Sequence, residues 1–164
     1  MKSNLFIPEK FDYVRRNKRP AVRCILCAYE NKDSIVELLD VHEGKSLQVA
    51  CNLYPYNPGH IMIFPKRHLT DVRELSASEW DELIMLQKKS MDILDRIYSP
   101  KGFNLGFNVG EASGASIEHL HLHIVPRYKN ELGFIDILAG AKIYVEGPQV
   151  TRDRLREEFR KLKL

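Results

Sequence analysis

Five stretches of the chain have the length and the apolar or alternating pattern of β-strands. They are residues 34–42, 46–53, 60–64, 103–109 and 117–125. Only three residues, with Gly44 at their centre, separate the first two stretches, so we expect a turn to join these strands. Pro65 ends the third stretch, because proline cannot extend the hydrogen-bonded ladder of a central strand.

Two other segments have helical periodicity. Ser76, followed three residues later by Glu79, forms a capping box that predicts a helix running to about Tyr98. The face of this helix that we expect to meet the core carries Trp80, Leu83, Ile84, Gln87, Met91, Leu94 and Tyr98. A shorter helix is predicted over 151–163. The element order predicts an α+β fold with an antiparallel sheet of about five strands, one main helix and a C-terminal helix.

The composition narrows the class of protein. A length of 164 residues suits one domain with a full core, so we treat 1–164 as a single domain. The net charge of +3 is too small to indicate nucleic acid or a membrane surface as a partner. The chain has no transmembrane run of apolar residues and no signal-peptide pattern. Its three cysteines are an odd number, which favours a reducing, cytoplasmic compartment over a disulfide framework.

Three histidines alternate with leucines at residues 119–123. Successive side chains of a strand point to opposite faces, so His119, His121 and His123 are expected to share one face of the last strand. Buried polar side chains need partners, and three aligned imidazoles contribute little to packing. The pattern therefore indicates a chemical role for this face.

The pattern His-φ-His-φ-His-φ-φ at residues 119–125, where φ is apolar, resembles the signature of the histidine triad (HIT) nucleotide hydrolases and transferases. The resemblance continues through Pro126 and Arg127 and covers roughly residues 20–145, between an N-terminal extension and the C-terminal helix. It implies a nucleotide substrate, the HIT fold and a homodimer.

A Cys-x-x-Cys at Cys24 and Cys27 fits a zinc half-site, a redox pair or chance. Tetrahedral zinc would need two further ligands, and spacing alone does not choose among the six histidines. Residues 59–68 resemble the family stretch Gly-His, apolar strand, Pro-Lys-x-His. The resemblance implies that Cys24, Cys27, His68 and His119 bind a structural zinc ion. His42 and His60 are then expected to be surface or hydrogen-bonded histidines.

Residues 108–116 resemble the phosphate-binding loop Asn-x-Gly…Gly-x-Ser of the family, although such a loop also fits an ordinary turn between strands. The resemblance implies that His121 is the nucleophile that carries a nucleotidyl group, and that His123 stabilises charge on the phosphate. The implied nucleotide-binding residues are Asn52 at the ribose, Leu53 at the base, and Asn108, Gly114 and Ser116 at the phosphates.

Ala115 stands where many family members have glutamine, which departs from the diadenosine triphosphate hydrolase and phosphoramidase branches. Residues 54–57, 118–121 and 132–136 instead resemble the diadenosine tetraphosphate phosphorylase/hydrolase-like branch. The resemblance thus implies an enzyme that cleaves a dinucleoside polyphosphate, with water or phosphate as the acceptor. The alternatives are a nucleoside phosphoramidate hydrolase and a nucleotide-sensing module with little turnover.

Overall fold

The structure is a computed structural model that describes residues 20–129, 131 and 146–161. The branch-specific stretch at 132–136 and the end of the predicted C-terminal helix lie outside these residues.

The described residues form one five-stranded antiparallel sheet. The strands are β1 (Asp40–Glu43), β2 (Leu47–Cys51), β3 (Ile61–Pro65), β4 (Gly102–Phe107) and β5 (Leu122–Arg127). Their order across the sheet is β1-β2-β3-β5-β4, so β4 is an edge strand. This arrangement brings β5 beside β3, where Ile61 pairs with Ile124 and Ile63 pairs with Leu122.

In the part of the chain that the structure describes, three α-helices flank the sheet: α1 (Ile25–Glu30), α2 (Ala77–Tyr98) and α3 (Pro148–Lys161). The predicted capping box starts α2, since the Glu79 N–H donates to Ser76 Oγ at 3.3 Å and the Ser76 N–H donates to the Glu79 carboxylate at 2.8 Å. The predicted α+β fold with one main helix and a C-terminal helix is confirmed. No helix of the described residues is long and apolar enough to span a membrane.

The central strands are buried on both faces. One face of β2 and β3 joins the main core with α2 and α3, through residues such as Ile61 and Ile63. The other face packs with α1, where Met62 and Phe64 contact Leu26. The small helix α1, which Cys24 caps and which contains Cys27, therefore holds both cysteines on this face of the sheet.

Two predicted strands begin several residues later than expected. The strand predicted over 34–42 begins at Asp40 and pairs with β2 as Asp40–Glu43. β5 begins at Leu122 rather than at residue 117, so His119 and His121 precede the strand. In place of strand pairing, the Leu120 N–H donates to the Leu69 carbonyl at 2.6 Å.

The predicted core-facing stripe of α2 is rotated. Ile84 is 60% exposed, whereas Leu86 and Ile93 are fully buried. Glu79, at the start of the helix, lies on the buried face and accepts two 2.7 Å hydrogen bonds from Arg67. The buried row then runs from Glu79 through Leu83, Leu86, Ser90, Ile93 and Leu94.

Candidate active site

The structure determines which nitrogen of His121 is protonated. His121 Nδ1 lies 2.7 Å from the His119 carbonyl oxygen, which can only accept, so Nδ1 donates and carries the proton. A neutral ring then has an unprotonated Nε2, the form that can attack phosphorus. Burial lowers the pKa of His121 from its ordinary value, against the opposing effect of the hydrogen bond to His119. The neutral form is therefore favoured at pH 7.

A chain of hydrogen bonds that begins at the backbone holds His123. The Tyr56 N–H donates to His60 Nδ1 at 3.0 Å, so a neutral His60 has its proton on Nε2. His60 Nε2 lies 3.0 Å from His123 Nδ1 and donates to it, which leaves the proton of a neutral His123 on Nε2. The rings of His121 and His123 are neighbours with centroids 4.6 Å apart. His121 therefore has an acceptor nitrogen at Nε2, and His123 has an N–H donor at Nε2.

His60 is the residue whose importance the sequence did not reveal. It was expected to be a surface or hydrogen-bonded histidine, and it is hydrogen-bonded and only 1% exposed. The preceding Gly59 has φ +80°, and a Cβ there would lie 3.0 Å from the Leu94 side chain and 3.2 Å from Pro126. The sequence signal that could have indicated a buried His60 is the Gly-His pair directly before an apolar strand, because glycine allows the close turn that buries the imidazole.

A cavity of about 550 Å³ collects the predicted site residues. Its wall includes His121 and His123, together with all the predicted nucleotide-binding residues, Asn52, Leu53, Asn108, Gly114 and Ser116. Apolar side chains from α1, β2 and β3 complete the wall, among them Leu26, Ala50 and Met62. An apolar pocket with a few converging polar groups is typical of small-molecule sites.

A second, more polar cavity of about 800 Å³ shares part of this wall. Asn108 and Ser116 border both cavities, so the loop at 108–118 lies between them. Gly114 in this loop has φ +84° and no atom within 4 Å of a Cβ built on it, which leaves its backbone open to the cavity. The loop can therefore bring backbone and hydroxyl donors close to a phosphate.

Asn52 lies at the end of β2, and its side chain is already partly engaged. Its Oδ1 accepts from the Tyr54 N–H at 2.9 Å, and its Nδ2 lies 3.4 Å from the Met62 sulfur. The side chain is thus fixed at the cavity wall, with amide hydrogens available for a ligand oxygen.

The four predicted metal ligands, Cys24, Cys27, His68 and His119, come together, with one ligand atom of each within 4.8 Å of the others. Cys24 Sγ is 3.4 Å from His119 Nδ1, and Cys27 Sγ is 3.3 Å from His68 Nδ1. Sulfur and nitrogen ligands of a tetrahedral zinc ion are about 3.6 Å apart. The spacing of these four side chains therefore fits zinc.

The chemistry of the donors agrees with this fit. His119 Nε2 lies 2.8 Å from the Pro65 carbonyl oxygen and donates to it, which leaves Nδ1 unprotonated and directed at the cysteines. Burial lowers the pKa of His119 to about 4, so its ring is neutral at pH 7. Burial and the adjacent Cys24 raise the pKa of the Cys27 thiol to about 11, which a cation would reverse. Cys24 also caps α1, since its sulfur accepts from the Cys27 N–H.

Comparison with known proteins identifies the family. A family model described as "HIT domain" matches residues 28–130. The chain belongs to the HIT family.

Two relatives have names that describe enzymes acting on dinucleoside polyphosphates. The protein named "AP-4-A phosphorylase" from Mycobacterium tuberculosis is 40% identical over 121 residues, 73% of this chain and 60% of that protein. The "Bis(5'-nucleosyl)-tetraphosphatase [asymmetrical]" of Schizosaccharomyces pombe is 30% identical over 87 residues, 53% of this chain and 48% of that protein. The chain thus spans only about half to three-fifths of the length of these relatives.

Solved HIT structures have the same fold. A histidine triad nucleotide-binding protein from Sulfolobus tokodaii superposes with a TM-score of 0.70 at 25% identity, over 85% of this chain and 94% of that one. A Zn-bound histidine triad family protein from Mycobacterium smegmatis gives a TM-score of 0.69 at 20% identity, with the same coverage.

Proposed function

We propose that the chain cleaves a dinucleoside polyphosphate, such as diadenosine tetraphosphate, through a nucleotidyl intermediate on His121. The observation that carries this proposal is the pair of hydrogen bonds at two adjacent imidazoles, His121 Nδ1 to the His119 carbonyl at 2.7 Å and His60 Nε2 to His123 Nδ1 at 3.0 Å. They favour an unprotonated Nε2 on His121 and an N–H donor at Nε2 of His123. The dinucleotide activities named for two relatives support the substrate class.

The proposed reaction has two steps. His121 Nε2 attacks the α-phosphorus, a P–N bond forms, and the P–O bond to the leaving polyphosphate breaks with its electron pair on oxygen. The hydrogen bond from Nδ1 to the His119 carbonyl stabilises the charge that develops on the ring. The His123 N–H donates to the phosphoryl group as negative charge grows. An acceptor oxygen, from water or phosphate, then attacks phosphorus and returns the electron pair to Nε2.

Substrate binding is assigned to the 550 Å³ cavity. We propose that Leu53 and the apolar wall hold the base and that the Asn52 amide binds a ribose hydroxyl. Asn108, Ser116 and the backbone at Gly114 would bind the phosphates. The charge on the polyphosphate would be shared among neutral donors, because the described wall of this cavity contains no lysine or arginine.

A zinc ion is proposed at Cys24, Cys27, His68 and His119. Four protein ligands complete a tetrahedron, so zinc here would supply a structural cross-link and take no part in bond breaking. Zinc thiolates are stable in a reducing compartment, which supports a cytoplasmic location.

A homodimer is proposed through the edge of the sheet at β4. Apolar residues are exposed on β4, just after it and on the nearby face of α2, namely Leu105, Val109, Trp80 and Ile84. Trp80 lies against Phe107 of β4, with ring centroids 6.5 Å apart, so the two elements form a continuous surface. An exposed apolar edge strand normally has a partner.

The test is a product analysis with diadenosine tetraphosphate, in the presence and absence of inorganic phosphate. We expect ATP in both cases, together with AMP when water is the acceptor and ADP when phosphate is. Rapid quenching during the first turnover should trap labelled AMP on His121.

Two outcomes would contradict the proposal. Faster release of ammonia from adenosine 5'-phosphoramidate than of ATP from the dinucleotide would favour the phosphoramidate hydrolase. Tight nucleotide binding with no labelled protein and no turnover would favour the nucleotide-sensing module.

A further inference from the structure

The metal cluster and the candidate nucleophile share one residue. The His119 side chain belongs to the cluster, with Nδ1 at 3.4 Å from Cys24 Sγ and 3.6 Å from Cys27 Sγ. The His119 backbone belongs to the active site, since its carbonyl oxygen accepts the 2.7 Å hydrogen bond that orients His121. The position of this carbonyl therefore depends on what holds residue 119.

No strand holds it, because β5 begins only at Leu122. Two hydrogen bonds anchor the segment to the end of β3 and to the residues that follow it. The His119 imidazole donates to the Pro65 carbonyl at 2.8 Å, and the Leu120 N–H donates to the Leu69 carbonyl at 2.6 Å. Leu69 directly follows His68, the other histidine of the cluster.

We infer that metal binding at His68 and His119 positions the nucleophile, by holding the backbone carbonyl that orients His121. His68 and His119 are in this sense positioning residues for the transfer step. This inference rests on the proposed function, since it takes His121 to be the group that attacks. It adds a kinetic consequence that a purely structural zinc ion does not require.

The consequence is selective. Asn52 and Leu53 line the cavity at the end of β2, and none of the four residues of the metal cluster is among the residues that line it. Loss of the metal should therefore slow formation of the nucleotidyl adduct and leave nucleotide binding nearly unchanged. Misplacing a reacting group by a fraction of an ångström is enough to slow a reaction by about tenfold or more.

The experiment compares zinc-loaded protein, chelator-stripped protein and stripped protein to which zinc has been returned. Three quantities are measured: hydrogen exchange at the Leu120 amide, the dissociation constant of AMP, and the rate of adduct formation in a single turnover with diadenosine tetraphosphate. Removal of zinc should speed hydrogen exchange at the Leu120 amide and should slow adduct formation, each by about tenfold. The AMP dissociation constant should change less than about twofold, and zinc should reverse both effects.

Variants keep the test decisive if stripping unfolds the protein. His68→Asn removes one exposed ligand without opening the core, and should reproduce the slower adduct formation and the faster Leu120 exchange. Phe159→Leu is the matched control, because it loosens buried packing on α3 far from the cluster. It should lower the melting temperature without changing the rate of adduct formation per folded molecule.

The inference is overturned if Leu120 exchange is the same with and without zinc, if the adduct forms equally fast, or if nucleotide binding weakens in parallel. It is also overturned if the protein binds no zinc. Absence of any adduct in the zinc-loaded protein, with Leu120 exchange still dependent on zinc, would contradict the proposed function instead.

Discussion

The first two histidines of the run at 119–123 differ in how their imidazoles are hydrogen-bonded. At the metal cluster, His119 donates from Nε2 to a carbonyl and directs an unprotonated Nδ1 at two thiols. Two residues later, His121 donates from Nδ1 and leaves Nε2 unprotonated at a cavity. The same type of side chain is thus a candidate metal ligand at one position and a candidate nucleophile at the other, according to which nitrogen donates to a carbonyl oxygen.

The largest expected effect is at His121. His121→Asn keeps a polar side chain but removes the nucleophile, so kcat for the dinucleotide should fall by at least about 10³-fold. The AMP dissociation constant and the melting temperature should change little. His42→Asn, which alters a histidine stacked on Phe159 outside the cavity, is the control. Nearly normal turnover by His121→Asn would mean that His119 and His121 do not differ as described.

The second effect is at His123 and at His60 behind it. His123→Asn should lower kcat by about 10²-fold, because it removes a donor to the developing charge but leaves the attack possible. His60→Phe should cost about tenfold, since the ring of His123 then loses the hydrogen bond that fixes its proton on Nε2. The double variant should be hardly worse than His123→Asn alone. Additive losses in this cycle would show that His60 acts independently of His123.

The third effect tests the metal end of the comparison. Purified protein should contain about one zinc per chain, and Cys24→Ala should abolish it and lower the melting temperature by about 10 °C. Cys51→Ala changes a buried cysteine outside the cluster and should keep the zinc. A protein without zinc, whose Cys24 and Cys27 thiols react freely in the native state, would contradict the cluster.

A smaller effect is expected at Asn52. Asn52→Ala should raise KM for the dinucleotide by several-fold with little change in kcat, because a ribose hydroxyl loses its partner. The unmutated protein should likewise favour ribonucleotide over 2',3'-dideoxyribonucleotide substrates. Equal rates on both substrates would remove Asn52 from ribose binding.

The smallest effect concerns pH. Because burial lowers the pKa of His121, its ring is protonated only at a pH below the ordinary histidine value of about 6.5. Adduct formation in a single turnover should therefore keep more than about half of its pH 8 rate at pH 6.5, and should fall as the pH drops further. An acid limb with its midpoint above 6.5 would contradict a buried, neutral His121.

The sequence predicted the parts of this site that depend on local spacing. The alternation of His119, His121 and His123, the Cys24–Cys27 pair and the cap at Ser76 are all visible within a few residues. It did not predict that His119 and His121 precede their strand, because the bond from Leu120 to Leu69 that replaces strand pairing joins distant parts of the chain.

The same limit applies to side chains whose surroundings are made by other elements. Trp80 and Ile84 fit a helical apolar stripe, yet they are exposed, whereas the charged Glu79 is buried because Arg67, from another part of the chain, pairs with it. His60 has its first partner four residues away and its second 63 residues away. Only the folded structure shows that these two hydrogen bonds form one continuous chain from the backbone to His123.

The sequence separation within the metal cluster has a consequence for the unfolded chain. Cys24 and His119 are 95 residues apart, yet a single ion would bridge them. A covalent link that closes a loop of about 100 residues reduces the entropy of the unfolded chain by an amount equivalent to about 4–5 kcal/mol at 25 °C. In a reducing compartment, which is the location proposed for this protein, disulfides do not persist and cannot supply such a link. Coordination of zinc would give it a reversible cross-link, whose strength follows the supply of metal in the cell.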